Sequence, residues 1–122
     1  MTRPPDDDGY RLWLRYDLLQ DQQRRAEYAE ERLRSLGFEI LSPAQLGVVC
    51  FRAHPAGVDE PAELDALNER INARVNATGR FLMSSTRLRG RFSLRLCTQV
   101  HRMTEADIDE VIQEIVQQAA LV

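Results

Sequence analysis

From Asp21 to Leu36 the apolar positions recur with the period of a helix. Leu19, Ala26 and Leu33 stand seven apart, Ala29 and Leu36 share their face, and arginine and glutamate fill the other side. Gly37 is predicted to end that helix at its C′ position. Phe38 to Leu41 is predicted as a short strand broken by Ser42-Pro43. Leu46 to Arg52 is predicted as a second strand, with an apolar centre continuous enough for burial on both faces. After a loop from His54 to Glu60, Pro61 suits the first turn of a helix that buries Leu64, Leu67, Ile71 and Val75 and closes at Gly79. Phe81 to Ser84 and Phe92 to Leu96 are predicted strands joined by a turn at Leu88-Arg89-Gly90. Thr104-Glu105-Ala106-Asp107 is a variant capping box opening a last helix that buries Ile108, Val111, Ile112, Ile115 and Val116.

Residues 10 to 20, YRLWLRYDLLQ, are ambiguous. Leu12, Leu14, Tyr16 and Leu18 alternate with Trp13, Arg15 and Asp17, which favours a strand, although the same stretch fits the first turns of the following helix. Met1 to Gly9 is polar, with two prolines and three consecutive aspartates, and is expected to be a disordered lead-in. Residues 10–122 are then one domain of order (β)-α-β-β-α-β-β-α. That order predicts an α+β two-layer sandwich, an antiparallel-rich sheet with helices on one face.

A chain of 122 residues suits one domain, and a 43% hydrophobic, 29% charged composition is ordinary for a globular one. The net charge of −3 gives no general attraction to nucleic acid or anionic membrane. No stretch approaches the roughly 20 apolar residues of a membrane span, and MTRPPDDDG lacks the apolar core of a signal peptide. A cytoplasmic protein with two reduced core thiols, Cys50 and Cys97, is expected. All 16 basic residues are arginine. Without lysine, the chain cannot form a lysine imine by itself.

The stretch LGVVCFRAHP raises the possibility of a Cys50–His54 nucleophile and base. That chemistry needs an accessible, low-pKa thiol, whereas Cys50 sits among Val48, Val49 and Phe51, where desolvation keeps it protonated. Two cysteines and two histidines also fall short of a zinc site, because no pair has the C-x₂₋₄-C or H-x₃₋₅-H spacing. Asn76-Ala77-Thr78 matches a glycosylation pattern, but Asn76 is better explained by a helix end. Ser84-Ser85-Thr86 lacks the glycine loop and lysine of a phosphate site. Arg87, Arg89 and Arg91 share parity, so in an extended chain they would form one basic face for a carboxylate or phosphate. A solvated hairpin tip is the commoner outcome for such a group. Arg95 differs because it interrupts an apolar strand between Leu94 and Leu96. It must face solvent, a partner chain or an anion, and it is the side chain expected to contact a ligand or interface.

Four pieces in one order carry a resemblance. They are the LG-V-CFR strand, the LN…IN-x₆-G helix end, the RG-x-F-x-LR-x-C strand pair and the T-x-x-DI helix opening. Together, from about Phe38 to about Ile115, they resemble the C-terminal small domain of the group II pyridoxal-phosphate (PLP)-dependent decarboxylases, the aromatic-L-amino-acid, histidine and tyrosine decarboxylase family. The resemblance implies an enzyme whose large domain carries PLP on a lysine, the cofactor acting as electron sink. It implies that this segment packs on the large domain and closes one side of the substrate cleft, with no catalytic residue of its own. Arg95 corresponds to the arginine of the family's LR-x-C strand, which implies a place toward the cleft or its supporting shell. Implied partners are the large domain and a second subunit. The alternative is a freestanding, non-catalytic α+β binding or dimerisation module. DGYRLWLRYDLL is also similar, over about a dozen residues, to the opening strand of α-glucuronidases, which would imply a hydrolase accessory domain.

Overall fold

The computed structural model describes residues 7–45, 47–81, 83–98 and 104–122, with side chains described from Gln20 onward. Seven elements follow one another: α1 (Asp7–Ser35), β1 (Glu39–Gln45), β2 (Val48–Arg52), α2 (Pro61–Ala77), β3 (Ser84–Leu88), β4 (Arg91–Cys97) and α3 (Glu105–Ala120). The strands form one antiparallel sheet in the order β1-β2-β4-β3. Because β4 inserts between β2 and β3, the connection through α2 is a split β-α-β unit. Helix α1 packs on β1 and β2, α2 packs on β4, and α3 lies against both helices. This is the two-layer α+β fold expected from the sequence.

The strand expected over residues 10–20 is instead the first part of α1. No glycine or proline interrupts the chain between Tyr10 and Leu36, so nothing stops the helix. Leu12, Tyr16 and Leu19 also carry the i, i+4, i+7 spacing of a helical stripe. The likeness to an α-glucuronidase strand therefore has no strand beneath it. Asp7–Gly9, assigned to the lead-in, belong to α1 as well, and Met1–Asp6 lie outside the described residues.

Strand β1 runs through Ser42-Pro43 instead of stopping there. It is an edge strand, and its register slips between Ile40 and Ser42 and again between Ser42 and Gln45. An edge strand with bulges is where proline is tolerated. Strand β3 begins at Ser84, where Phe81 was expected. The cause is Asn76 in the last turn of α2. Its amide accepts from Met83 N–H at 2.7 Å and donates to Met83 O at 2.9 Å, which holds Met83 beside the helix and releases the chain into the sheet afterwards.

The core lies between the layers. Ala26, Ala29 and Leu33 of α1, Val49 and Phe51 of β2, Ile71 and Val75 of α2, Leu94 of β4 and Ile108, Ile112 and Ile115 of α3 are buried. Phe38 meets Phe51 edge-to-face, with centroids 5.6 Å apart. Two residues expected inside are not: Leu36, just after α1, and Val116, near the end of α3, are 44% and 36% exposed. Thr104 and Asp107 form the capping box reciprocally. Asp107 N–H donates to Thr104 Oγ1 at 3.2 Å, and Thr104 N–H donates to Asp107 Oδ2 at 2.9 Å.

Candidate functional site

Register decides which side chains share a face of the sheet. Val49 opposes Leu96 and Phe51 opposes Leu94 beneath the helices. The alternate residues point the other way. Val48 opposes Cys97, Cys50 opposes Arg95, Ser84 opposes Arg95 from the other side, and Thr86 opposes Ser93. None of the described helices lies on that face. It carries Arg52, Arg91 and Arg95 against one carboxylate, Glu39.

Glu39 is the hub of one end of this face. It accepts from Arg52 Nε at 3.1 Å and Arg52 Nη2 at 3.2 Å, and from His54 Nδ1 at 2.6 Å, with Arg91 Nη1 3.7 Å away. The second ring nitrogen of His54 meets Asp59 at 3.1 Å. Partial burial pushes the Glu39 carboxyl up, but the hydrogen bonds from His54 and Arg52 outweigh it and hold the pKa below its ordinary value. The bonds to Glu39 and then Asp59 raise the His54 pKa. Arg52 is 7% exposed and its charge is balanced by Glu39. Beside this hub, the start of β1 and the tip of the β3–β4 hairpin enclose a polar cleft of about 320 Å³, with Glu39, Ser42, Arg89 and Arg91 on its walls.

Arg95 lies on the central strand β4, half-buried, flanked across the strands by Cys50 and Ser84. Among the described residues its side chain makes no hydrogen bond and no ion pair. Neighbouring Ser93 is fully buried and turns its hydroxyl onto Leu94 O at 3.2 Å. A guanidinium so placed offers two parallel donors to a carboxylate brought from outside.

The other candidates separate. Cys50 is buried, and both nitrogens of His54 are taken by carboxylates, so the two do not form a nucleophile and base. Cys97, expected in the core, is half-buried, and His101 lies outside the described residues. Arg87, Arg89 and Arg91 do not share a face. Arg89 and Gly90 have φ of +52° and +79° and make a two-residue hairpin turn of the I′ kind, so the chain reverses between Arg87 and Arg91. Arg87 falls on the helix side, bound to Asp65 at 3.2 Å and Glu69 at 3.5 Å, while Arg91 falls on the open side. Asp65 also accepts from the Phe92 backbone N–H at 3.0 Å, and that bond, with the Arg87 guanidinium, holds its pKa low.

Two polar anchors were not predicted. Asn68 is fully buried on α2 and works as a detached piece of strand. It accepts from Ala53 N–H at 2.7 Å and donates to Ala53 O at 3.0 Å and Leu64 O at 2.8 Å. The available signal was its place in the stripe Leu64, Asn68, Ile71, Val75, where an amide has to find backbone partners. Nothing in the local sequence of Glu39 announced its pairing with Arg52, which comes from the hairpin register.

The residues present do not fit the role of PLP holder that the resemblance gives to a lysine, since the chain has none. Among the described residues no helix is long and apolar enough to cross a membrane.

No family model matches the chain. Over 58 residues it is 41% identical to a tryptophan decarboxylase of Camptotheca acuminata, a match that takes in 48% of this chain and 12% of the relative. Over 91 residues it is 28% identical to the aromatic-L-amino-acid decarboxylase of Bacillus atrophaeus, 74% of this chain and 19% of the relative. Among solved structures, tryptophan decarboxylase of Catharanthus roseus in complex with L-tryptophan superposes with a TM-score of 0.76 at 26% identity, over 85% of this chain and 22% of that one. Oryza sativa TDC with PLP and tryptamine has the same fold, with a TM-score of 0.79 at 23% identity over 86% of this chain and 23% of that one. The chain thus spans between about an eighth and a quarter of the lengths of these proteins. The curated relatives of this chain, and the solved tryptophan decarboxylases that share its fold, are decarboxylases of the aromatic amino acid family that its strands and helix ends resemble.

Proposed function

We propose that this chain is the small-domain segment of a PLP-dependent aromatic amino acid decarboxylase and is catalytically incomplete alone. In this reading the open face of its sheet docks on the lysine-bearing large domain and closes one side of the substrate cleft. The observation that carries it is the state of the two central strands. They present buried Cys50, Arg52 and Ser93 and half-buried Arg95 on a face with no helix over it among the described residues, in a chain whose relatives are about four times as long. Residues on an ordinary solvent face have little reason to be this deeply set. Arg95 is the substrate- or interface-contacting residue of this reading. It offers a carboxylate of the large domain, or of the amino acid, a bidentate partner. The chain contributes no catalytic group, no metal ligand and no covalent link to the cofactor. A second reading, a freestanding binding or dimerisation module, draws on the free edge of β3.

The test is to add PLP to the purified chain, then to the chain co-expressed with the lysine-bearing large domain from the same genome, and record absorbance near the internal-aldimine band after dialysis. The chain alone is expected to show no retained band. The co-expressed pair is expected to show the band and to form an aromatic amine. A dialysis-resistant band on the chain alone overturns the incomplete-segment reading. Failure of the large domain to bind the chain turns the assignment to the freestanding module.

A further inference from the structure

The two edges of the sheet are finished differently. At β1 the backbone of Ala44 is already occupied: its N–H donates to Glu30 of α1, and its carbonyl accepts from Gln23 at 3.0 Å. Pro43 and two register slips bend the rest of that edge away from regular pairing. At β3 none of this protection is present. Ser84 through Leu88 oppose Arg95 through Arg91 in unbroken register, with no proline and no bulge. Ser84, Ser85 and Arg87 are exposed, and among the described residues nothing bonds the outer side of the strand.

We propose that β3 is a pairing edge that adds β3 of a second copy of this chain, antiparallel, about a two-fold axis at Thr86. The sequence of the strand suits itself in that register. Thr86 meets Thr86, a favourable β pair, Ser85 meets Arg87, and Ser84 meets Leu88, so no like charges oppose one another. Arg87, the strand's one charge, is compensated within its own chain by Asp65 and Glu69. A two-fold axis normal to the sheet leaves both helical layers on the same side and makes one eight-stranded sheet with both open faces on the other side. A five-residue edge buries a small area, so the association is weak and concentration-dependent. The pairing does not depend on the decarboxylase reading, since among the described residues nothing bonds the edge whether or not the open face is docked.

Sedimentation of the full chain from about 10 μM to about 1 mM, the range in which weak interfaces act, tests it. The mean mass is expected to climb from 14.0 kDa toward twice that value. Thr86→Lys places two like charges across the axis and is expected to hold the mass at 14.0 kDa throughout, with circular dichroism and Tm confirming that the fold persists. A second readout fixes the register. With diamide as oxidant, Thr86→Cys is expected to give a disulfide-linked dimer, while Ser84→Cys, which would face Leu88, and the wild type with Cys50 and Cys97 give little. A chain that stays monomeric at the highest concentration overturns the proposal. So does a dimer that Thr86→Lys leaves intact, or cross-linking equal at positions 84 and 86. PLP binding and subunit mass are separate measurements, so either result can fail while the other stands.

Discussion

Strand β2 holds two kinds of burial side by side. Val49 and Phe51 point into the helical layer and are fully buried among apolar side chains. Cys50 and Arg52 point the opposite way and are nearly as deep, at 8% and 7% exposure, yet no helix lies over them among the described residues. On one face depth comes from removing apolar surface from water. On the other it comes from a carboxylate shared by Arg52, Arg91 and His54 and from small residues set between long ones. The first kind of burial stabilises the fold as it stands. In the proposed reading, the second prepares a surface whose gain is realised when the large domain covers it.

The largest effect should come from the helix side. Phe51→Ala removes a fully buried ring and its edge-to-face contact with Phe38. It is expected to cost about 3–5 kcal/mol, measured by urea denaturation. A cost below about 1 kcal/mol would mean that the helical layer does not carry the fold. Glu39→Gln sharpens the contrast from the open side. It keeps the volume but leaves Arg52 deeply set without its counter-charge. A loss of about 2 kcal/mol is expected, in the range of a hydrogen-bonded charge left unpaired. Unchanged stability would show that Arg52 reaches water.

The acid–base behaviour of the hub gives a second handle on the open face. His54 gains partners on folding and its pKa rises, so its stabilisation is fully present below its ordinary value of 6.5 and is lost as pH climbs through the raised value. The Glu39 pKa is lowered, so its contribution is present above its ordinary value of 4.5 and is lost as pH falls through the lowered one. Stability should therefore peak between about 4.5 and 6.5 and decline on the alkaline side. His54→Gln should flatten that alkaline decline in a Tm-against-pH series. An unchanged slope would assign the decline elsewhere.

Most of the architecture was legible in the periodic stretches of the chain, because a hydrophobic stripe is a local property. The α2 and α3 stripes, the capping box at Thr104 and the turn at Arg89-Gly90 are all written within a few neighbouring residues. What escaped depends on residues far apart. Asn76 shifts the start of β3 by holding Met83, seven positions on. The two slips in β1 let Pro43 stay in a strand. The turn at Arg89 sends Arg87 and Arg91 to opposite faces, which parity counted along an extended chain cannot foresee. The prominence of Arg95 was legible, since a charge between Leu94 and Leu96 is a local anomaly. Its lack of a side-chain partner among the described residues became visible only with the sheet assembled.

That lack leads to the smallest expected effect. Arg95 sits mid-strand in the sheet centre, where truncation ordinarily harms. Arg95→Met keeps the long apolar stem and removes a guanidinium that bonds to nothing among the described residues. The stability of the isolated chain should change by no more than about 0.5 kcal/mol, as at a surface position away from any network. The change should be felt when the open face is covered. In the co-expressed pair with the large domain, Arg95→Met should weaken association, and more than Arg87→Met does, because Arg87 already has Asp65 and Glu69 within its own chain. If Arg95→Met destabilises the chain alone as much as Glu39→Gln does, Arg95 belongs to the fold and the open face is finished without a partner. If it leaves both stability and association untouched, docking does not pass through Arg95.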